Sequence, residues 1–189
     1  MRVITGRARG RKLKTCFHKE VRPTSQRTKE GIFNKIGPYL EGNVFLDLFA
    51  GSGSIGIEAI SRGAELCVFI EKNSECVKII YENLNITGLR DFARVYRMDV
   101  RKGLKKIHKE KIWFDYIFMD PPYFKDFYIP VIEEIEKNSI LKETGTLIVE
   151  HYKDIELPEK INMLFKGEVK KYGDSWITYF YKSLEEVQF

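Results

Sequence analysis

A chain of 189 residues, 43% hydrophobic and 31% charged, is long enough to close one core without staples, and its ordinary globular balance argues against disorder. No apolar run approaches the ~20 residues that span a bilayer, and the opening Met1–Arg7 stretch lacks the apolar core and cleavage site of a leader, so a soluble, cytoplasmic protein is expected. The net charge of +5 is uneven: residues 1–35 hold eleven lysines and arginines against two acids, which leaves the rest net −4. A basic head on a mildly acidic body points to a polyanionic partner, although a merely solvated basic face gives the same pattern.

In chain order, residues 2–5 and 11–16 read as two short strands joined by the basic turn Gly6-Arg7-Ala8-Arg9-Gly10. Arg22-Pro23-Thr24 reads as extended. Thr24 or Ser25 then caps a helix to about Ile36, which Gly37-Pro38 stops. From residue 43 strands and helices alternate. Strands are expected over 44–49, 66–70, 93–97, 114–119 and 146–150, with helices over 54–62, 74–87, 101–109 and 128–138. The tail offers two more strands, 163–170 and 176–182, around Gly173-Asp174, close enough to be antiparallel. The pattern predicts an α/β fold: a mostly parallel seven-stranded sheet with helices on both faces and an antiparallel C-terminal hairpin. Residues 1–37 form a basic appendage and 38–189 the main domain.

Cys16, Cys67 and Cys76 are scattered and odd in number, so reduced thiols are expected rather than a disulfide frame. His18, His108 and His151 lie far apart without ligand spacing, and no metal is expected.

Parallel sheets bind ligands at the C-terminal ends of their strands. Asp47, Glu71, Asp99 and Asp120 all fall at or beside such ends. Between the first strand and helix, Gly51, Gly53 and Gly56 satisfy the G-x-G-x-x-G pattern, and Glu71 stands where a ribose-binding acid belongs. That pattern alone admits NAD. Asp47 argues otherwise, because it would face a pyrophosphate as a like charge, whereas the sulfonium and ammonium of S-adenosylmethionine favour an acid. The expected cofactor contacts are Asp47, Ala50, Gly51, Gly53, Glu71, Lys72, Asp99 and Val100, with Glu71 on the ribose hydroxyls and Asp99 at the adenine edge.

Asp120-Pro121-Pro122-Tyr123 follows the fourth parallel strand. Two prolines remove two amide donors and stiffen the turn, leaving carbonyls, a carboxylate and a ring. An aromatic exocyclic amine, whose lone pair is delocalised, suits such an acceptor-only pocket. Acceptors on its N–H groups hold the nitrogen towards a methyl donor and gain strength as charge develops there. Asp120, Pro121, Pro122 and Tyr123 are therefore the candidate catalytic set, with Tyr123 stacking on an extruded base. A carboxylate suits guanine's adjacent donors better than adenine's donor–acceptor pair, although an acid can also serve adenine. An adenine-N6 methyltransferase, an NAD-dependent oxidoreductase and a non-catalytic RNA-binding module remain as alternatives.

Leu46–Gly53 together with Asp120–Tyr123 resembles the class I, Rossmann-like amino-methyltransferases. The basic opening Met1–Lys14 with its Gly6–Leu13 run, the Arg22-Pro23-Thr24 segment with Arg27 and Glu30–Asn34, and Gly56–Ala64 narrow the resemblance to the RsmD-like 16S ribosomal RNA guanine-N2 methyltransferases. It covers essentially the whole chain. Gly31 departs from it, standing where a better helix former is expected. The resemblance implies S-adenosylmethionine as donor and the 2-amine of one guanine in small-subunit ribosomal RNA as acceptor. It further implies a substrate in an assembled or partly assembled 30S particle; a monomer without membrane or metal partner is expected. Arg7, Arg9, Arg11, Lys12, Arg22, Thr24 and Arg27 would contact the RNA.

Overall fold

The computed structural model describes residues 1–16, 25–122 and 127–182. Among the described residues five α-helices and eight strands follow in chain order as α1 (Gln26–Ile36), β1 (Val44–Leu48), α2 (Ser54–Ser61), β2 (Leu66–Glu71), α3 (Ser74–Thr87), β3 (Ala93–Arg97), α4 (Val100–Glu110), β4 (Phe114–Met119), α5 (Tyr128–Lys137), β5 (Leu141–Tyr152), β6 (Lys160–Ile161), β7 (Leu164–Tyr172) and β8 (Ser175–Tyr181). They build one sheet of order β3-β2-β1-β4-β5-β8-β7-β6. The β1–β2, β1–β4, β2–β3 and β4–β5 pairs are parallel, whereas β8 lies antiparallel to β5 and β7. The expected seven strands become eight because the two-residue β6 pairs with β7. So short a pairing leaves no periodicity to read.

Helix boundaries follow local chemistry. Ser25 caps α1 by accepting the Thr28 amide, and Gly37 at φ 111° ends it. Asn73 accepts the Glu75 and Cys76 amides at the head of α3, and Gly88 closes its other end in the left-handed region.

The central strands are apolar on both sides, so each face of the sheet has its own core. Leu46, Ile70, Ile117 and Met119 pack under Leu104 and Ile107 of α4 and Val131, Ile132 and Ile135 of α5. Phe45, Phe69, Phe118 and Ile148 pack under Ile32 and Phe33 of α1, Ile57 and Ile60 of α2 and Ile80 and Leu84 of α3. Gly31 is explained on this second face: a methyl group built there would lie 1.8 Å from the Tyr172 hydroxyl oxygen, so the glycine makes room for the tip of the Tyr172 ring against α1.

The basic N-terminal hairpin is less of an appendage than its sequence suggests. Its strands reduce to one antiparallel bridge, Arg2 to Lys12, and Val3, Ala8 and Leu13 are buried in the same core as α1–α3. The Ala8 amide donates to Ser61 Oγ (3.0 Å), which donates to the Thr5 carbonyl (2.6 Å). Gly6, at φ +86°, sits so close to α2 that a Cβ would fall 1.7 Å from the Ser61 carbonyl oxygen. Gly6→Ala should therefore cost about 1–3 kcal/mol, and amide exchange should show the hairpin loosening while the sheet stays protected.

Lys29, Glu58 and Arg62 pin this hairpin from below. All three are buried. Glu58 meets Lys29 at 3.2 Å and Arg62 at 2.9 Å, and accepts the Ile4 and Thr5 amides at 2.8 and 3.0 Å. The Lys29 ammonium also donates to the Arg2 carbonyl (2.8 Å). Lys29 thus leaves the set of cations open to a polyanion. The expectation of reduced thiols is also corrected: Cys16 at the end of the hairpin is bonded to Cys76 in the first turn of α3, with Cα atoms 5.3 Å apart, and Cys67 remains free and buried. Sixty residues separate the pair in sequence, and only packing of the hairpin on α3 brings them together.

Candidate active site

The parallel strands carry acids at one end of the sheet, and those acids converge. Asp47 lies in β1 and Glu71 ends β2. Asp120 follows β4, and Glu150 lies near the end of β5. Register sets them side by side: Asp47 pairs with Phe69 and Phe118, and Met119 pairs with Val149, one residue before Asp120 and Glu150. By alternation they share the face of Phe69, Phe118 and Ile148.

The loop after β1 turns sharply. Phe49, Gly51 and Gly53 all take positive φ (59°, 54° and 74°), and the Gly53 amide donates to the Ala50 carbonyl at 2.7 Å. Gly51 donates to Glu71 Oε2 and Asn73 to Glu71 Oε1, both at 2.8 Å, so Glu71 clasps the loop from the neighbouring strand. Each carboxylate oxygen has a second lone-pair direction for a ribose hydroxyl. Gly56 has a packing duty, since a Cβ would fall 2.3 Å from the Phe69 ring. Asn83 of α3 ties the loop to the hairpin, its amide donating to the carbonyls of Ser52 (2.9 Å) and Lys14 (3.0 Å).

Asp47 is buried beneath this loop and accepts the Gly56 amide at 2.9 Å. Burial pushes its carboxyl up to about 8, against the Gly56 hydrogen bond and with help from Glu71. Asp120 is also pushed well above the usual carboxylate range, first by burial, then by Glu150 and Asp47. Burial thus disfavours the charged form of both carboxyls in the free protein, and a cation beside them would favour ionisation.

Other expected residues fall in different places. Ala50 and Pro122 are half-buried, Pro121 and Val100 are buried, and Lys72 and Asp99 are exposed. Asp99 caps α4, its Oδ1 accepting the Arg101 amide at 3.0 Å. Arg9, Arg11, Lys12 and Arg27 are exposed, and Arg7 is exposed while lying over the Phe92 ring at 4.7 Å. Tyr123, Arg22, Thr24 and His18 lie outside the described residues. Glu150 was not anticipated, because it reads as one acid at the end of an apolar strand. It is 5% exposed and takes a 2.6 Å hydrogen bond from the Ser175 hydroxyl of β8. A cavity of about 350 Å³ lined by His151, Lys153, Trp176 and Thr178 opens on the opposite face of β5 and β8. Among the described residues there is no cluster of metal-ligand type and no helix long and apolar enough to cross a membrane.

A parallel sheet that ends in acids beside a glycine turn, closed by an antiparallel hairpin, defines a class I methyltransferase of the S-adenosylmethionine-dependent fold. Residues 1–181 match the family described as Conserved hypothetical protein 95, the RsmD family, and the chain belongs to it. It is 40% identical to YlbH of Bacillus subtilis, a protein named for rRNA methylation, over 92% of this chain and 94% of that one. It is 35% identical to Ribosomal RNA small subunit methyltransferase D of Haemophilus influenzae over 87% and 86% of the two chains. The solved structure of yhhF from Escherichia coli superposes with a TM-score of 0.80 at 28% identity, covering 95% of this chain and 96% of that one.

Proposed function

We propose that the protein transfers a methyl group from S-adenosylmethionine to the 2-amine of one guanine in small-subunit ribosomal RNA, acting in the cytoplasm on a 30S particle or its precursor. The observation that carries this reading is the placement of Asp120-Pro121 beside the acid-clasped glycine loop at the strand ends. The relatives named for small-subunit rRNA methylation support the RNA substrate.

The donor set fits this cofactor. Glu71 and Asp99 are acceptors for hydroxyl and amine groups, Ala50, Gly51 and Gly53 offer loop backbone, Lys72 and Val100 flank them, and Asp47 lies below as a carboxyl that a bound cation would ionise. When bound, the cofactor supplies an electrophilic methyl group on a cationic sulfur. Asp120 and the Pro121 carbonyl accept the N–H groups of the target amine and orient its lone pair, the prolines keep competing amide donors out, and Tyr123 stacks on the base. Proximity of this kind can lower the barrier by ~7–11 kcal/mol, without a metal or a deprotonated nucleophile. The exposed arginines and Lys12 of the hairpin, with Arg22, Thr24 and Arg27, grip phosphates, so binding weakens steeply with salt.

The decisive experiment supplies labelled S-adenosylmethionine to unmethylated 30S particles and analyses the nucleosides, with Asp120→Ala as control. Label in N2-methylguanosine that the variant loses supports the reading. Label in N6-methyladenosine replaces the base, and transfer to no RNA removes the substrate class.

A pH dependence of cofactor binding also follows. A carboxyl raised to about 8 is largely protonated at pH 7, and a bound cation favours its ionised form. Binding therefore releases a proton, and affinity rises with pH until about 8. Calorimetry in buffers of different ionisation enthalpy should show that release for S-adenosylmethionine. It should be smaller for S-adenosylhomocysteine, whose sulfur is neutral, and smaller in Asp47→Asn.

A further inference from the structure

We propose that Glu150 is a specificity-determining residue that accepts the ring N1–H of the target guanine, beside the 2-amine held by Asp120. The inference rests on the guanine reading above. Parallel register places Glu150 next to Asp120 at adjacent strand ends, and the two carboxylates feel each other's charge. An acid 5% exposed, directly after the fully buried Leu147, Ile148 and Val149, is a costly choice where an apolar side chain would fill the space. Its geometry is also fixed. Ser175 Oγ donates to Oε1 at 2.6 Å, and the turn that carries Ser175 is fastened by the Lys153 amide to the Asp174 carbonyl (2.9 Å) and by the Lys153–Asp174 ion pair (2.8 Å). The C-terminal hairpin thereby aims a side chain of β5.

Two adjacent carboxylates match guanine in particular. Its Watson–Crick edge presents N1–H and the 2-amine as contiguous donors, whereas adenine presents an acceptor at N1. A carboxylate facing that acceptor meets lone pair with lone pair, and a site built around a hydrogen bond rejects the analogue that lacks it far more strongly than an apolar pocket could. Asp120 alone would accept an amine from either base. Glu150 supplies the discrimination.

The test compares 30S particles reconstituted with guanine or 2-aminopurine at the target position. 2-Aminopurine keeps the 2-amine but carries an N1 acceptor. Wild-type protein should strongly prefer guanine. Glu150→Gln, whose amide can donate to N1, should lose about ten- to a hundredfold in kcat/KM on guanine and gain on 2-aminopurine, which narrows or inverts the ratio. A residue that merely packs would lower both rates together. An unchanged ratio in a Glu150→Gln protein that folds and methylates guanine overturns the inference and leaves the guanine reading intact. Absence of N2-methylguanosine with wild-type protein overturns that reading itself. Should Glu150→Gln fail to fold, Ser175→Ala decides: freeing Oε1 should shrink the same ratio by a smaller factor, and an unchanged ratio counts against the role.

Discussion

Asp120→Asn is expected to lower methyl transfer by about a hundred- to a thousandfold while leaving cofactor affinity within a few fold. The substitution keeps the shape of the side chain and the rigid Pro121-Pro122 turn, and it removes the charge. Charge is what matters, because the amine nitrogen becomes positive as it attacks, and an anionic acceptor strengthens with it more than a neutral amide does. The pH profile sharpens the prediction. Burial, Glu150 and Asp47 hold the Asp120 carboxyl well above its ordinary range in the free protein. If the ionised form does the work, wild-type activity falls as pH drops through that raised value, well above where an exposed aspartate would titrate. The limb should be read from kcat at saturating S-adenosylmethionine, which separates it from the titration of Asp47. It should vanish in Asp120→Asn, leaving a flat, low rate. An Asn variant with wild-type rate and an unaltered profile would mean that Asp120 only shapes the turn.

The sequence carried the frame of this site because strand ends and caps are local. The alternation of β-runs with helices, the loop from Asp47 to Gly56 and the caps Ser25, Asn73, Gly37 and Gly88 all act within a few residues, and periodicity or turn chemistry exposes them. What stayed hidden depends on residues far apart in the chain. Glu150 is aimed by Ser175, 25 residues later, across an antiparallel pair. The Cys16–Cys76 bond needs the hairpin folded onto α3. Lys29 left a faint signal: it lies three and four residues before Ile32 and Phe33, on the face of α1 that packs inward. A lysine on such a face asks for a buried acid, but nothing local points to Glu58.

That acid should be the most sensitive position outside the catalytic set. Glu58→Ala strands two buried cations, Lys29 and Arg62, and leaves the Ile4 and Thr5 amides without their acceptor. Removing one partner from a buried ion cluster costs about 3–5 kcal/mol, because the remaining charge has neither water nor a counterion. For a chain of this size that corresponds to a fall in melting temperature of roughly 6–20 °C. Burial already pulls Lys29 below the ordinary lysine value, chiefly against the attraction of Glu58. Without Glu58 the amine can fold neutral, which is how the protein would recover part of the loss. Lys29→Met should cost less, since Glu58 keeps Arg62 and both amides. The order of the two variants in thermal melts therefore separates a carboxylate hub from a simple ion pair. Amide exchange should locate the damage: Ile4 and Thr5 should lose protection in Glu58→Ala, while β1 and β4 keep theirs. The hairpin would then present its arginines from a loosened seat, and affinity for 30S particles should fall more than affinity for S-adenosylmethionine. Equal losses in the two variants, or an unaltered hairpin, would show that Glu58 does not organise the basic surface.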